Sequence, residues 1–385
     1  MDVRPGQRVL VRSDLNVPLE GGEVTDDARI RGALAAIRDL RDRGAAVIVS
    51  SHLGRPKGPS PETSLAPVAR RLGELLGTTV KLAPAVVGDE VRKLVDAMEP
   101  GDVLLLENTR WEEGETKNDP GLARELASLA EAYVNDAFGA AHRAHASTAG
   151  VAEYLPSAAG PLLEREVVTL RSIVESPVRP LAVVLGGAKV SDKIGLIEKF
   201  QEQADSILIG GAMCFAFFRA QGIPTGDSLV EEEGIELARE ALERAKSSEC
   251  RLLLPVDLVI ADRFAADAER QEIDGVEVPD GWMGLDVGPK TGALYADEIA
   301  AAGTVLWNGP MGAFEMDPFS GGTRAVAQAM ADAPGITVVG GGDSAAALAQ
   351  FGLADQVTHL STGGGASLEL LEGRRLPGVE ALDDA

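Results

Sequence analysis

Four short segments join the end of an apolar run to paired or tripled glycines: Leu185-Gly186-Gly187-Ala188-Lys189, Ile209-Gly210-Gly211, Val339-Gly340-Gly341-Gly342-Asp343-Ser344 and Thr362-Gly363-Gly364-Gly365. A glycine turn between a strand and a helix presents backbone N–H groups and the positive end of the helix to a phosphate. Each stretch alone reads equally well as a sharp turn. Four at the same end of one parallel sheet point to a ligand-binding rim, because such sheets bind ligands beyond the carboxyl ends of their strands. Asp343 would repel phosphate there unless a cation intervened, and Mg²⁺ bridging a carboxylate to nucleotide phosphates meets that requirement. An N-cap role suits the same residue. Lys189 and Lys193, four apart, fall where a helix follows the run 181–185, so that both ammonium groups can face the rim.

A second set of candidates lies in the first half of the chain. Arg12 stands beside Asp14 and Asn16, His52 is followed by Arg55, Arg110 follows Glu107-Asn108, and His142-Arg143-Ala144-His145 completes the group with three of the four histidines. Arginine reads carboxylate and phosphate bidentately, so arginines gathered at one sheet edge suit a small, multiply anionic metabolite. Singly, each is more commonly a surface ion pair. A catalytic-triad reading of the histidines is weaker, because no G-x-S-x-G elbow is present.

These residues need elements to hold them. Apolar runs rich in Val, Ile and Leu at 8–14, 45–52, 103–108 and 132–138, and again at 181–187, 206–211, 252–261, 304–308, 336–340 and 359–361, alternate with helical periodicity. That is the pattern of buried parallel sheets built from βαβ units, and it predicts an α/β fold of two doubly wound, Rossmann-like domains. Leu163, Val167, Leu170 and Val174 predict an interdomain helix that stops by Ser176-Pro177. The spacing also predicts a surface helix over 231–248 and a β-hairpin over 272–278 about Asp274-Gly275.

Composition narrows the function. The 385 residues carry a net charge of −24, which argues against nucleic acid and anionic membrane as partners. Cys214 and Cys250 are the only cysteines, far apart and without histidines at metal-ligand spacing, so neither a disulfide framework nor a zinc site is expected. No apolar stretch approaches a membrane span and the N-terminus lacks a signal pattern, so a cytoplasmic chain is expected. No coiled-coil pairing signal is evident, which makes a monomer the default. The residues 340–345 fit a loose dinucleotide pattern, yet they lie near the chain end and the next acid, Asp355, comes too early, so an NAD-dependent oxidoreductase is a poor alternative. A binding-only protein is the other. No P-loop motif occurs.

The motifs, taken in order, resemble one family. Arg12-Ser13-Asp14-Leu15-Asn16-Val17-Pro18, Ser51-His52-Leu53-Gly54-Arg55-Pro56, Leu106-Glu107-Asn108-Thr109-Arg110, Ala141-His142-Arg143-Ala144-His145, Gly186-Gly187-Ala188-Lys189-Val190-Ser191-Asp192-Lys193, Trp307-Asn308-Gly309-Pro310-Met311-Gly312, Gly340-Gly341-Gly342-Asp343-Ser344 and Ser361-Thr362-Gly363-Gly364-Gly365-Ala366-Ser367 resemble phosphoglycerate kinase from end to end. The resemblance implies reversible, Mg²⁺-dependent phosphoryl transfer between 1,3-bisphosphoglycerate and ADP, giving 3-phosphoglycerate and ATP. It implies a substrate domain over 1–160 completed by a tail 370–385, and an interdomain helix with a nucleotide domain over 161–369. Asp14, Leu15, Asn16, Arg29, His52, Leu53, Gly54, Arg55, Arg110 and Arg143 would hold the glycerate substrate. Lys193, Gly210, Gly211, Glu315, Gly341, Gly342, Asp343 and Ser344 would hold the nucleotide, with Asp343 on the metal. Arg29 and Lys189 would neutralise the phosphoryl group in flight. Hinge closure is expected near Glu166 and the turn 361–363. Ser13, Leu15, Trp111, Ala212 and Ser344 depart from the common pattern, and none of these changes removes a charged group.

Overall fold

The computed structural model describes residues 2–383. Of these, 2–168 with 374–383 form one compact unit and 169–373 form the other. Each is built on a six-stranded sheet in which every neighbouring pair of strands is parallel.

In the first unit the strands are β1 (Arg8–Arg12), β4 (Ala46–Ser50), β5 (Val80–Leu82), β6 (Val103–Leu105), β7 (Ala132–Asn135) and β8 (Ser157–Ala159), with a small hairpin of β2 (Leu19–Glu20) and β3 (Glu23–Val24). The sheet order is β5-β6-β4-β1-β7-β8. Every residue of β4 is buried, as a strand covered on both faces must be. The helices are α1 (Ala28–Asp42), α2 (Ala66–Leu76), α3 (Asp89–Asp96), α4 (Pro120–Ala127) and α5 (Pro161–Glu175), the last of which passes into the second unit. Ile30, Ala33, Leu34, Ile37 and Leu40 of α1 form its buried face, at the spacing an amphipathic helix requires. Helix α4 starts on Pro120 with Asp119 as N-cap, its Oδ1 accepting from Leu122 N at 2.9 Å.

The tail docks on this unit. Helix α13 (Pro377–Glu380) presents the carbonyl of Gly378 to Asn135 Nδ2 at 2.9 Å. A Cβ at Gly378 would sit 3.0 Å from the Ala141 Cα, so the backbone approach there leaves little room for a side chain.

The second unit contains β9 (Leu181–Leu185), β10 (Ser206–Ile209), β11 (Arg251–Leu253), β15 (Thr304–Asn308), β16 (Ile336–Gly340) and β17 (His359–Leu360), in the order β11-β10-β9-β15-β16-β17. Its helices are α6 (Ile194–Gln201), α7 (Cys214–Ala220), α8 (Gly234–Ala245), α9 (Pro289–Ala301), α10 (Gly321–Asp332), α11 (Gly342–Phe351) and α12 (Gly365–Leu371). A separate antiparallel sheet joins β12 (Leu258–Ala261), β13 (Arg270–Ile273) and β14 (Met283–Val287) in the order β13-β12-β14.

Three local expectations are corrected. The run 252–261 is two strands in different sheets, because Pro255 lies between β11 and β12 and proline cannot donate to a ladder. Asp274-Gly275 does turn the chain, with Gly275 at φ 140°. However, β13 pairs with the fully buried β12, while Val278 bridges Thr225 instead. The helix expected over 231–248 begins at Gly234, and Glu231 turns aside to accept from the backbone N of Ser191 at 3.0 Å.

Asp286 in β14 is buried, its carboxylate accepting from Val287 N at 2.9 Å and Gly322 N at 2.7 Å. Burial pushes its carboxyl up to about 7. A folded-state value above the unfolded one means that this group favours the fold below about pH 4 and that the contribution is lost as pH rises through about 7. Asp286→Asn is therefore expected to gain stability relative to the parent between pH 5 and 8. A difference in Tm that does not move with pH would contradict it.

Candidate active site

In the first unit the adjacent strands β6, β4, β1 and β7 end in the loops carrying 106–111, 51–55, 13–17 and 136–145, so the sheet order brings the candidate cations to one edge. The loop after β4 is pinned from both sides. Asn16 Oδ1 accepts from Gly54 N at 2.8 Å, and Arg110 Nη1 donates to Gly54 O at 2.6 Å. Asn108 accepts from Leu53 N at 3.1 Å and donates to Leu53 O at 2.8 Å. Leu15 and Leu53 are buried, Leu15 N donating to Ser51 Oγ at 2.9 Å, so both shape the loops and neither presents a free group to a ligand. Asp14 accepts from Arg29, in the first turn of α1, at 2.7 Å.

Arg55, Arg110, Arg143 and His145, with Lys57 and Trp111, line an open cleft of about 610 Å³. Among the described residues the side chains of Arg55 and Arg143 make no hydrogen bond or ion pair, which leaves their donors for an anion. Arg12 differs from the sequence expectation. It is fully buried rather than part of the cleft wall, its Nε donating to Ser147 Oγ at 2.8 Å and its Nη2 lying 3.1 Å from His52 Nδ1. Burial first, then the charges of Arg12, Arg110 and Arg29 and the His145 ring, hold His52 well below the ordinary imidazole range.

In the second unit the glycine loops all follow strands of one sheet and lie at its carboxyl edge. Their glycines serve two purposes. A Cβ at Gly186 would lie 2.1 Å from the Pro310 carbonyl oxygen, one at Gly210 2.4 Å from Met311 Sδ, and one at Gly211 2.4 Å from Gly187 N. Gly187 N donates to Pro310 O at 3.0 Å and Gly211 N to Met311 O at 2.9 Å, so three loops interlock through bare backbone. Gly341 and Gly342 are placed differently. Gly341, at φ 90°, is the N-cap of α11, and a Cβ at Gly342 would meet nothing within 4 Å, which leaves room for a ligand over the helix N-terminus. Asp343 therefore lies in the first turn and not at the cap.

Helix α6 begins only at Ile194, so Lys189 and Lys193 do not share a helical turn. Lys189 is exposed in the loop. Lys193, at the N-cap, donates to Asn308 Oδ1. Burial lowers its pKa against the opposing charges of Asp192, Asp343 and Glu372. Ser344 is buried, its Oγ accepting from Gly309 N at 2.7 Å. Glu315 is exposed on the loop after β15.

Asn308 is the site residue that sequence reasoning did not single out. It is buried at the end of β15, and its Nδ2 has no partner. That nitrogen lies 3.2 Å from where a Cβ of Gly341 would be, an unsatisfied donor beside the turn of Gly340-Gly341-Gly342. The donors at this edge fit a nucleotide phosphate. No group of three or more acidic, histidine or cysteine side chains able to hold a metal occurs among the described residues. A cation at Asp343 would thus depend on phosphate oxygens, as Mg²⁺ with one carboxylate and a nucleotide does.

A family model described as "Phosphoglycerate kinase" matches residues 2–374. The chain belongs to the phosphoglycerate kinase family. A phosphoglycerate kinase from Roseiflexus sp. (strain RS-1) is 55% identical over 383 residues, covering 99% of this chain and 97% of the relative. A cytosolic phosphoglycerate kinase from Triticum aestivum is 53% identical over 99% of this chain and 96% of its own length. The solved structure of the Coxiella burnetii phosphoglycerate kinase matches with a TM-score of 0.90 at 43% identity, over 98% of this chain and 96% of that one. The activity is accordingly the family's, phosphoryl transfer between an adenine nucleotide and a carboxyl acceptor. Two departures from the common phosphoglycerate kinase pattern are now accounted for. Trp111 donates from Nε1 to Thr63 Oγ1 at 3.0 Å, and Ser344 supplies the hydroxyl that Gly309 needs. No helix among the described residues is long and apolar enough to cross a membrane.

Proposed function

We propose that the first unit holds 3-phosphoglycerate or 1,3-bisphosphoglycerate and the second holds ATP or ADP. Asp14, Asn16, Arg29, His52, Arg55, Arg110 and Arg143 take the glycerate substrate, with Leu15, Leu53 and Gly54 shaping the loops that carry them. Lys193, Gly341, Gly342, Asp343 and Ser344 take the nucleotide phosphates, Gly210 and Gly211 lie under the adenine, and Glu315 meets the ribose. The observation that carries this assignment is the pair of free side chains, Arg55 and Arg143, in a cleft at the carboxyl edge of one sheet, matched by the open helix N-terminus at Gly342 at the carboxyl edge of the other.

Phosphoryl transfer needs alignment and charge neutralisation more than covalent help. The acceptor carboxylate is ionised at neutral pH, so no general base is required and His52 acts as a hydrogen-bond donor. Arg29 and Lys189 neutralise the group in transit. Mg²⁺, held by Asp343 and phosphate oxygens, would supply the remaining positive charge. Since the two reactants are held on separate units, the reading includes closure on binding, which also excludes water from the acyl phosphate. The protein acts as a cytoplasmic monomer.

The test is a coupled assay of 3-phosphoglycerate-dependent ADP formation from MgATP. Activity abolished by EDTA and by Arg29→Ala supports the assignment. Full activity in either case overturns that part of it.

A further inference from the structure

We propose that Arg12, clamped in the core by Ser147 and Glu115, is a positioning residue that fixes His52 as the neutral tautomer protonated on Nε2. The proposal deepens the reading of this cleft as the acceptor site and rests on it. A guanidinium has donors only, so Nδ1 of His52, 3.1 Å from Arg12 Nη2, is the acceptor. The proton of the neutral ring is then on Nε2, the one nitrogen left for a ligand. Carboxylate and phosphate oxygens accept hydrogen bonds, and this tautomer offers them a donor.

The guanidinium is held from the other side as well. Its Nε donates to Ser147 Oγ at 2.8 Å, and Nη1 donates to the carbonyl of Ser13. Ser147 in turn donates its hydroxyl to Glu115 Oε1 at 2.6 Å and its backbone N–H to Oε2 at 3.0 Å. Arg12, Ser147 and Glu115 are all fully buried, so a carboxylate offsets the buried cation through one hydroxyl. Arg12 comes from β1, Arg29 from α1, Arg110 from the loop after β6 and His145 from the loop after β7, and each acts on the His52 ring against a second proton. Burial holds the neighbouring His145 below the ordinary imidazole range as well, against the opposing carboxylate of Glu115, 3.9 Å from its Nδ1.

The tautomer is read in the ¹⁵N-labelled full chain without substrate, by two-bond ¹⁵N–¹H correlation. Failure of the acceptor-site reading would therefore leave this result standing. The expected spectrum shows His52 protonated on Nε2, with its titration displaced well to the acid side of an ordinary imidazole. A proton on Nδ1, or ordinary titration near pH 6.5, overturns the proposal. In Arg12→Met and in the milder Ser147→Ala, a mixture of tautomers and a new acidic limb in kcat/KM for 3-phosphoglycerate are expected. An unchanged tautomer in folded Ser147→Ala and Arg12→Met refutes the role of the clamp, and if Arg12→Met does not fold the wild-type spectrum and Ser147→Ala decide. His52→Gln, which keeps an N–H donor, is expected to hold KM for 3-phosphoglycerate about tenfold lower than His52→Leu. Equal KM values would contradict donation from this position.

Discussion

Lys189→Ala is expected to lower kcat by about 10²-fold or more while KM for MgATP stays near the parent value. Lys189 is exposed in the loop after β9, and no hydrogen bond or ion pair holds its ammonium group among the described residues. The ammonium group attracts the Glu231 carboxylate but is held in no close ion pair, and such a cation contributes most when new charge develops before it, which in phosphoryl transfer is on the group in flight. Lys193 is already committed to Asn308 and half-buried, so its removal is expected to act on nucleotide binding. Steady-state constants for both variants separate the two roles. A kcat unchanged in Lys189→Ala, or a rise confined to KM, would remove it from the transfer step.

The second large effect concerns stability. Glu115→Ala leaves the guanidinium of Arg12 fully buried without its carboxylate and Ser147 without its acceptor, and removal of one partner of a buried ion pair costs about 3–5 kcal/mol. Urea unfolding of the single variants and of Arg12→Met with Glu115→Leu tests this, since the paired change removes both charges together. The double variant is expected to lose less stability than the sum of the single ones. Simple additivity would mean that the two groups do not interact through Ser147.

The parts of the fold legible in the sequence are those whose residues carry their own signal. Residues 46–49 and Leu181–Leu185 are apolar throughout, and the strand ends followed by glycines mark the carboxyl edge of the second sheet. Val80–Leu82 and Ser157–Ala159 were not legible, because three-residue edge strands with Lys81 or Ser157 hold too few apolar residues to register. The same limit explains the antiparallel sheet, whose pairing joins residues distant in sequence. Among the candidate site residues, Arg55 and Arg110 announce themselves beside histidine and asparagine in short motifs. Arg29 lies in an ordinary helical sequence, and only the family resemblance singles it out; its contact with Asp14 spans 15 residues. Arg12 looks in the sequence like one more cleft cation because burial is not written in a residue type. Asn308 went unremarked because an unsatisfied amide nitrogen is a property of packing alone.

The interlocked glycines divide the carboxyl edge of the second sheet into positions open and closed to change. At Gly186, Gly210 and Gly211 any side chain would collide with a neighbouring loop, so substitutions there would report disrupted architecture and not altered ligand preference. Gly342 has unobstructed space around it, and Glu315 and Ala212 stand on loops that do not require a bare backbone at those residues. A library aimed at accepting a different nucleoside triphosphate would therefore diversify 212 and 315 and leave Gly342 and the glycine lock intact.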